Sequence, residues 1–122
     1  MDEVKQIVAD IKSRNFRPIY FLMGEEPYYI DKVSSFIEKN ILEVTEQEFN
    51  QTILYGRDTS IGDIVSHAKR YPMMAEYQVV IIKEAQDLSR SIEKLITYVQ
   101  NPQTSTILVI NYKYKKRIHS ER

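Results

Sequence analysis

The segment Met23-Gly24-Glu25-Glu26-Pro27-Tyr28-Tyr29-Ile30-Asp31 begins where an apolar run stops, the place at which an α/β chain would cradle a phosphate. Such a cradle needs G-x-x-x-x-G-K-[ST]: glycines for close backbone approach, a lysine for the phosphates and a hydroxyl for magnesium. Gly24 fills the first place, but Tyr29, Ile30 and Asp31 stand where the second glycine, the lysine and the hydroxyl belong. Glu25 and Glu26 also put negative charge at the start of the following helix, where a phosphate would otherwise sit. A second apolar run ends Ile82-Lys83-Glu84. A magnesium-organising site carries aspartate directly after that run. Lys83 repels a cation instead, and Glu84 is a lone carboxylate of the kind usually found solvated in a loop. Asn111 has the chemistry to sense a terminal phosphate, but no cradle would hold one. His67 and His119 lack a metal-like partner spacing. The serines have no nucleophile-elbow context, and carboxylate pairs such as Glu25/Glu26 read as solvated surface. The expectation is a chain with no catalytic, metal-binding or cofactor-binding residues.

The elements around these positions follow from apolar spacing. Val4, Ile7, Val8 and Ile11 recur at i, i+3, i+4 and i+7, the stripe of an amphipathic helix that Asn15 and Pro18 end. Ile19-Tyr20-Phe21-Leu22-Met23 is continuously apolar, as in a strand buried on both faces of a parallel sheet. Pro27 suits the first residue of a helix, whose buried face would carry Tyr29, Ile30, Val33, Phe36, Ile37 and Ile41. Phe49 to Tyr55 alternates apolar with polar, which predicts a less buried strand near a sheet edge. Ser60 can cap a helix striped by Ile61, Ile64, Val65 and Ala68, with Asp63 in the capping-box position. Gln78 to Ile82 and Thr106 to Ile110 read as further buried strands. Leu88, Ile92, Leu95, Ile96 and Val99 stripe the helix between them. Strands alternating with helices predict an α/β fold: a mainly parallel sheet, helices on both faces, right-handed crossovers.

At 122 residues the chain suits one domain with a sizeable core, and 43% hydrophobic against 28% charged residues is globular composition. The charges cancel at 17 against 17, so net charge points neither to nucleic acid nor to a membrane surface. The absence of cysteine excludes a disulfide scaffold and fits a reducing cytosol. The start, MDEVKQIVADIKSRN, lacks the apolar core of a signal peptide, and no apolar run approaches the ~20 residues of a membrane span. The expected location is cytoplasmic.

Two stretches remain. Tyr71-Pro72-Met73-Met74-Ala75-Glu76-Tyr77 leads directly into the strand at Gln78. Adjacent residues on a helix point about 100° apart, so at least one of two neighbouring methionines is hard to bury there. Pro72 favours an extended turn before it. The pair is either core filler at a crowded helix end, the ordinary fate of methionine, or an exposed apolar tip. Tyr112-Lys113-Tyr114-Lys115-Lys116-Arg117 interleaves aromatics with positive charge, as single-strand binders do, although a solvated terminal stretch is the simpler reading.

An amphipathic helix, then Pro-Ile-Tyr-Phe-Leu-Met-Gly-Glu-Glu-Pro-Tyr-Tyr-Ile-Asp from Pro18, then Pro-Met-Met-Ala-Glu-Tyr-Gln-Val-Val-Ile-Ile-Lys-Glu-Ala from Pro72 is a specific combination. It resembles the amino-terminal domain of the delta subunit of bacterial DNA polymerase III, part of the clamp loader, from Phe16 to about Tyr112. The resemblance implies a P-loop NTPase/AAA+-like domain lacking a functional nucleotide site, in agreement with the defects above. It further implies a subunit with no ATPase site of its own in a nucleotidyltransferase holoenzyme, one that binds the beta sliding clamp and helps open it for loading onto DNA. In that family a short helix end before the third strand carries two adjacent apolar residues into a pocket on the clamp. Here those are Met73 and Met74, with Tyr71 and Pro72 shaping the approach. Leucine and phenylalanine are commoner there, but the flexible methionine thioether also fills irregular pockets. Other clamp-loader subunits would be met through a lid and collar outside this sequence, and DNA indirectly. Residues 1–112 would form the clamp-binding domain, short of the fold's fifth strand, and 113–122 an irregular basic tail. The competing class is a degenerate P-loop-type nucleotide- or single-stranded-nucleic-acid-binding domain.

Overall fold

The computed structural model describes residues 2–114. Helix α1 (Asp2–Lys12) leads into strand β1 (Ile19–Gly24), then α2 (Pro27–Asn40), α3 (Val44–Asn50) and β2 (Gln51–Tyr55). Next come α4 (Ile61–Ala68), β3 (Gln78–Lys83), α5 (Ile96–Gln100) and β4 (Thr106–Lys113). All strand pairs are parallel, in the order β1-β4-β3-β2. The two most continuous apolar runs, in β3 and β4, therefore take the middle of the sheet, where both faces are covered. Val79, Ile81, Ile107 and Val109 point to one layer, against Ile7 and Ile11 of α1 and Val33 and Ile37 of α2. Val80, Ile82, Leu108 and Ile110 point to the other, against Ile61, Ile64 and Ala68 of α4, with Leu95 and Tyr98. The α/β architecture with helices on both faces is the predicted one. No helix among the described residues is long and apolar enough to cross a membrane.

Several elements depart from expectation, each for a local reason. β1 lies at an edge of the described sheet, so Phe21 and Met23 are exposed rather than buried. β2 is the opposite edge, as expected, but it begins at Gln51. Phe49 and Asn50 belong instead to α3, which a capping box starts: the Glu46 carboxylate accepts from the Glu43 N–H at 3.0 Å. Phe49 faces solvent on that helix. The stripe from Leu88 to Val99 is broken into 3₁₀ turns at Ala85–Leu88 and Ile92–Leu95 before the short α5. Ser91 Oγ donates to the Leu88 carbonyl there, competing with helical bonding, and Ile96 and Val99 stay exposed. Tyr29 is also exposed, leaving Ile30, Val33 and Ile37 as the buried face of α2. β4 runs through Lys113, so Tyr112 and Lys113 belong to the sheet. The remainder of the basic tail, residues 115–122, lies outside the described residues.

Candidate functional site

Ligands of a parallel sheet gather at the carboxyl ends of its strands, the end at which Gly24, Lys83 and Lys113 stand. β1 stops at Gly24 and α2 starts at Pro27, so Glu25 and Glu26 are the whole connection. That turn has no room for the four-residue spacing between the glycines of a phosphate loop. Pro27 also removes one of the N–H donors that a helix start offers an anion. Asn111 is buried against α2, where its Nδ2 donates to Ser34 Oγ at 2.8 Å.

A side chain occupies this corner. Lys113 Nζ lies 2.9 Å from Asp31 Oδ1 and 2.9 Å from Glu84 Oε2, so one ammonium ties together α2 and the ends of β3 and β4. Gln86 fixes both partners: its Nε2 donates to Glu84 Oε1 at 2.6 Å, and its Oε1 accepts from the Lys113 N–H at 3.1 Å. Burial pulls the Lys113 pKa down, but Asp31 and Glu84 together outweigh it and the net shift is upward. The hydrogen bond from Lys113, then that from Gln86, holds the Glu84 carboxyl below its ordinary value against the opposing pull of burial.

A depressed carboxylate stabilises the fold above its unfolded pKa, and that contribution is lost as pH falls through the lower folded value. Replacing Lys113 with methionine is therefore expected to raise the Glu84 carboxyl pKa in an NMR titration. The same change should flatten the acid-side loss of stability expected below the ordinary glutamate range. Because the carboxylates are partly exposed, the loss at neutral pH should stay under about 1 kcal/mol.

Little else here offers chemistry. Among the described residues no group of three or more His, Cys, Asp or Glu could hold a metal ion. Lys83 pairs with Glu38 at 3.7 Å. Tyr28 and Tyr29 are exposed and stack edge to face on each other, with ring centroids 5.2 Å apart. Tyr112, one of the aromatics interleaved with basic residues, stacks on Phe21.

The loop from Lys69 to Tyr77 lies at the other end of β3, whose six residues span roughly 20 Å. Side-chain amides, one of them the buried Gln78, fix where it starts. Gln78 Nε2 donates to the carbonyls of His67 at 3.0 Å and Arg70 at 2.6 Å, and lies 2.8 Å from Thr106 Oγ1. The Thr106 hydroxyl donates to the Ala68 carbonyl at 2.6 Å. Gln103 Nε2 reaches the Arg70 carbonyl at 2.5 Å. These bonds satisfy the last carbonyls of α4 and send the chain out in one direction. Further along, both arms of the Asn50 carboxamide bond the backbone of Met73.

The four predicted site residues are thereby brought into one loop. Tyr71 is 81% exposed, Met73 59% and Met74 97%, while Pro72 is half-buried. The loop contains no helix, because α4 ends at Ala68; the expected short helix end is a bent, non-helical tip. The sequence pattern marks neither Asn50 nor Gln78 as a site residue: Asn50 fits the polar half of an alternating strand and Gln78 the start of one. The usable signal for Gln78 was an amide placed directly before the wholly apolar Val79–Ile82.

The family model described as DNA polymerase III, delta subunit, matches residues 20–121. The DNA polymerase III subunit delta of Bacillus subtilis (strain 168) is 23% identical over an alignment 122 positions long, which covers 93% of this chain and 35% of that protein. Among solved structures, the Bacillus subtilis DNA clamp loader delta protein superposes with a TM-score of 0.81 at 23% identity, over 93% of this chain and 36% of that one. A Thermotoga maritima RuvB mutant gives 0.57 at 16% identity, over 93% and 39%. At these identities the structural likenesses establish the fold. This chain spans about a third of the length of the relatives it matches. With the family match running from β1 through β4, the chain belongs to the DNA polymerase III delta-subunit family.

Proposed function

We propose that this domain grips a bacterial sliding clamp through Tyr71, Pro72, Met73 and Met74, and helps open it within an assembled clamp loader. The observation that carries this reading is the neighbouring pair Met73 and Met74, both exposed on a loop whose backbone is tied down. Single exposed apolar residues are ordinary; an adjacent pair beside an exposed tyrosine forms a contact tip. A few apolar anchors entering a pocket dominate the affinity of such contacts, and methionine adapts to irregular pockets. Membership of the delta-subunit family, one of whose members is named a clamp loader protein, supports the choice of partner.

The domain does not hydrolyse ATP in this account, since Lys113 and its carboxylates fill the corner where a nucleotide's charge would be handled. The holoenzyme's nucleotidyl transfer belongs to other subunits, met through parts of the protein beyond this chain, and the work takes place in the cytoplasm. The edge of β1 that no other strand covers among the described residues, flanked by exposed Phe21 and Met23, is where the fold's fifth strand would add to complete the clamp-binding domain.

The test is to mix the domain with a bacterial sliding clamp on a sizing column, and to heat it with and without ATP and magnesium. Co-elution, no thermal shift and no hydrolysis are expected. Separate elution at concentrations above those of the assembled loader counts against the clamp reading. A nucleotide-dependent thermal shift favours a degenerate nucleotide-binding domain instead.

A further inference from the structure

Among the described residues, the backbone from Tyr71 to Tyr77 makes no hydrogen bond to other backbone. Its two hydrogen bonds both run from Met73 to one side chain. Asn50 Nδ2 donates to the Met73 carbonyl at 2.8 Å, and Asn50 Oδ1 accepts from the Met73 N–H at 2.6 Å. The carboxamide thus imitates the peptide of a neighbouring strand. Its second N–H donates to the Glu46 carbonyl at 3.1 Å, which anchors the pair to the last turn of α3. Asn50 is only 4% exposed, so it sits beneath the tip and away from any partner that meets Met73 and Met74.

The next residue explains why such an anchor is needed. Met74 has φ +54°, in the left-handed region that costs a non-glycine residue about 1 kcal/mol or more. That conformation persists only where the surroundings impose it. The hydrogen-bonded restraint nearest to it is the doubly bonded Met73 just before it, while the far side of the tip is held by Tyr77 packing on Phe16.

We infer that Asn50 is the positioning residue of the methionine tip: its carboxamide holds Met73 and sets Met74 in the conformation that enters the clamp. This rests on the clamp-binding reading above. A tip already fixed loses little freedom on binding, whereas a loosened one must be ordered at that moment, which lowers affinity.

The test uses the variants N50A, N50D and M73A/M74A, with a sliding clamp as the probe. N50D keeps the size and the acceptor for the Met73 N–H, but sets a carboxylate against two carbonyl oxygens. N50A and N50D should each weaken clamp binding about ten-fold or more, the scale of a lost pair of hydrogen bonds. In the M73A/M74A background neither should weaken it further, whereas a general effect on folding would add there as well. Amide exchange at Met73, measured without any clamp, should accelerate in N50A while core amides of β3 and β4 keep their protection. Unchanged clamp affinity in N50A and N50D, or unchanged Met73 exchange, overturns the inference and leaves the clamp reading standing. If wild-type protein fails to bind the clamp, the clamp reading falls on its own account, and Met73 exchange still reports whether Asn50 holds the tip.

Discussion

Replacing Gly56 with alanine is expected to cost about 3 kcal/mol of folding stability and to lower the melting temperature by roughly 10 °C. Gly56 is buried at the end of β2, where the chain enters the 3₁₀ turn Gly56–Asp58. A Cβ there would lie inside van der Waals contact of the Glu84 carbonyl oxygen, 3.0 Å from the Glu84 carbonyl carbon and 3.3 Å from Ala85 Cα. All of these are backbone atoms, so no side chain can swing aside to make room. Glu84 resists movement too, being left-handed at φ +54° and held by its bond to Lys113. The clash would therefore push β2 and β3 apart at their carboxyl ends or break the ion triad. Gly62 provides the control. An added Cβ there meets nothing nearer than Ser60 Oγ at 3.9 Å, and its position on α4 makes alanine neutral or stabilising by up to about 1 kcal/mol. Thermal denaturation of both variants decides the matter, and a melt of the Gly56 variant close to wild type would contradict the packing described.

The second large effect concerns binding. Truncating Met73 and Met74 together to alanine is expected to weaken clamp binding at least a hundred-fold. Each buried anchor is worth about 2 kcal/mol when removed, although neighbouring anchors do not add strictly. Stability should change by less than about 0.5 kcal/mol, because the methionine side chains project into solvent rather than into either core layer. Surface-resonance titration against immobilised clamp, with the melt as control, separates the two quantities. A double variant that still binds like wild type would remove the tip from the account.

Much of the fold was legible because its signals are collective. The runs Val79–Ile82 and Ile107–Ile110 are apolar at every position, which only a doubly covered central strand requires, and they occupy the centre of the sheet. The run at β1 looks the same in composition, yet its place at an edge depends on which strands lie beside it, a long-range fact absent from the run itself. Phe49 shows the opposite failure. It fits an alternating pattern by chance of spacing, while the Glu43/Glu46 box that starts α3 outweighs that pattern. Within the candidate site, the defects of the phosphate loop could be read residue by residue. Lys113 as the corner's resident cation could not, because its partners Asp31 and Glu84 are distant in sequence. The anchoring of Met73 by Asn50 is hidden for the same reason, 23 residues separating the pair.

The most direct measurement uses the methionines themselves. The chain has four of them, so methyl-labelled protein gives a sparse spectrum into which unlabelled sliding clamp can be titrated. Met23 serves as the internal control: it is 57% exposed but lies at the carboxyl end of β1, the opposite end of the sheet from the tip. The methyl signals of Met73 and Met74 should shift or broaden as the clamp is added, while that of Met23 stays in place. Movement of Met23 with Met73 and Met74 unmoved would contradict the claim that this tip is where the domain meets the clamp.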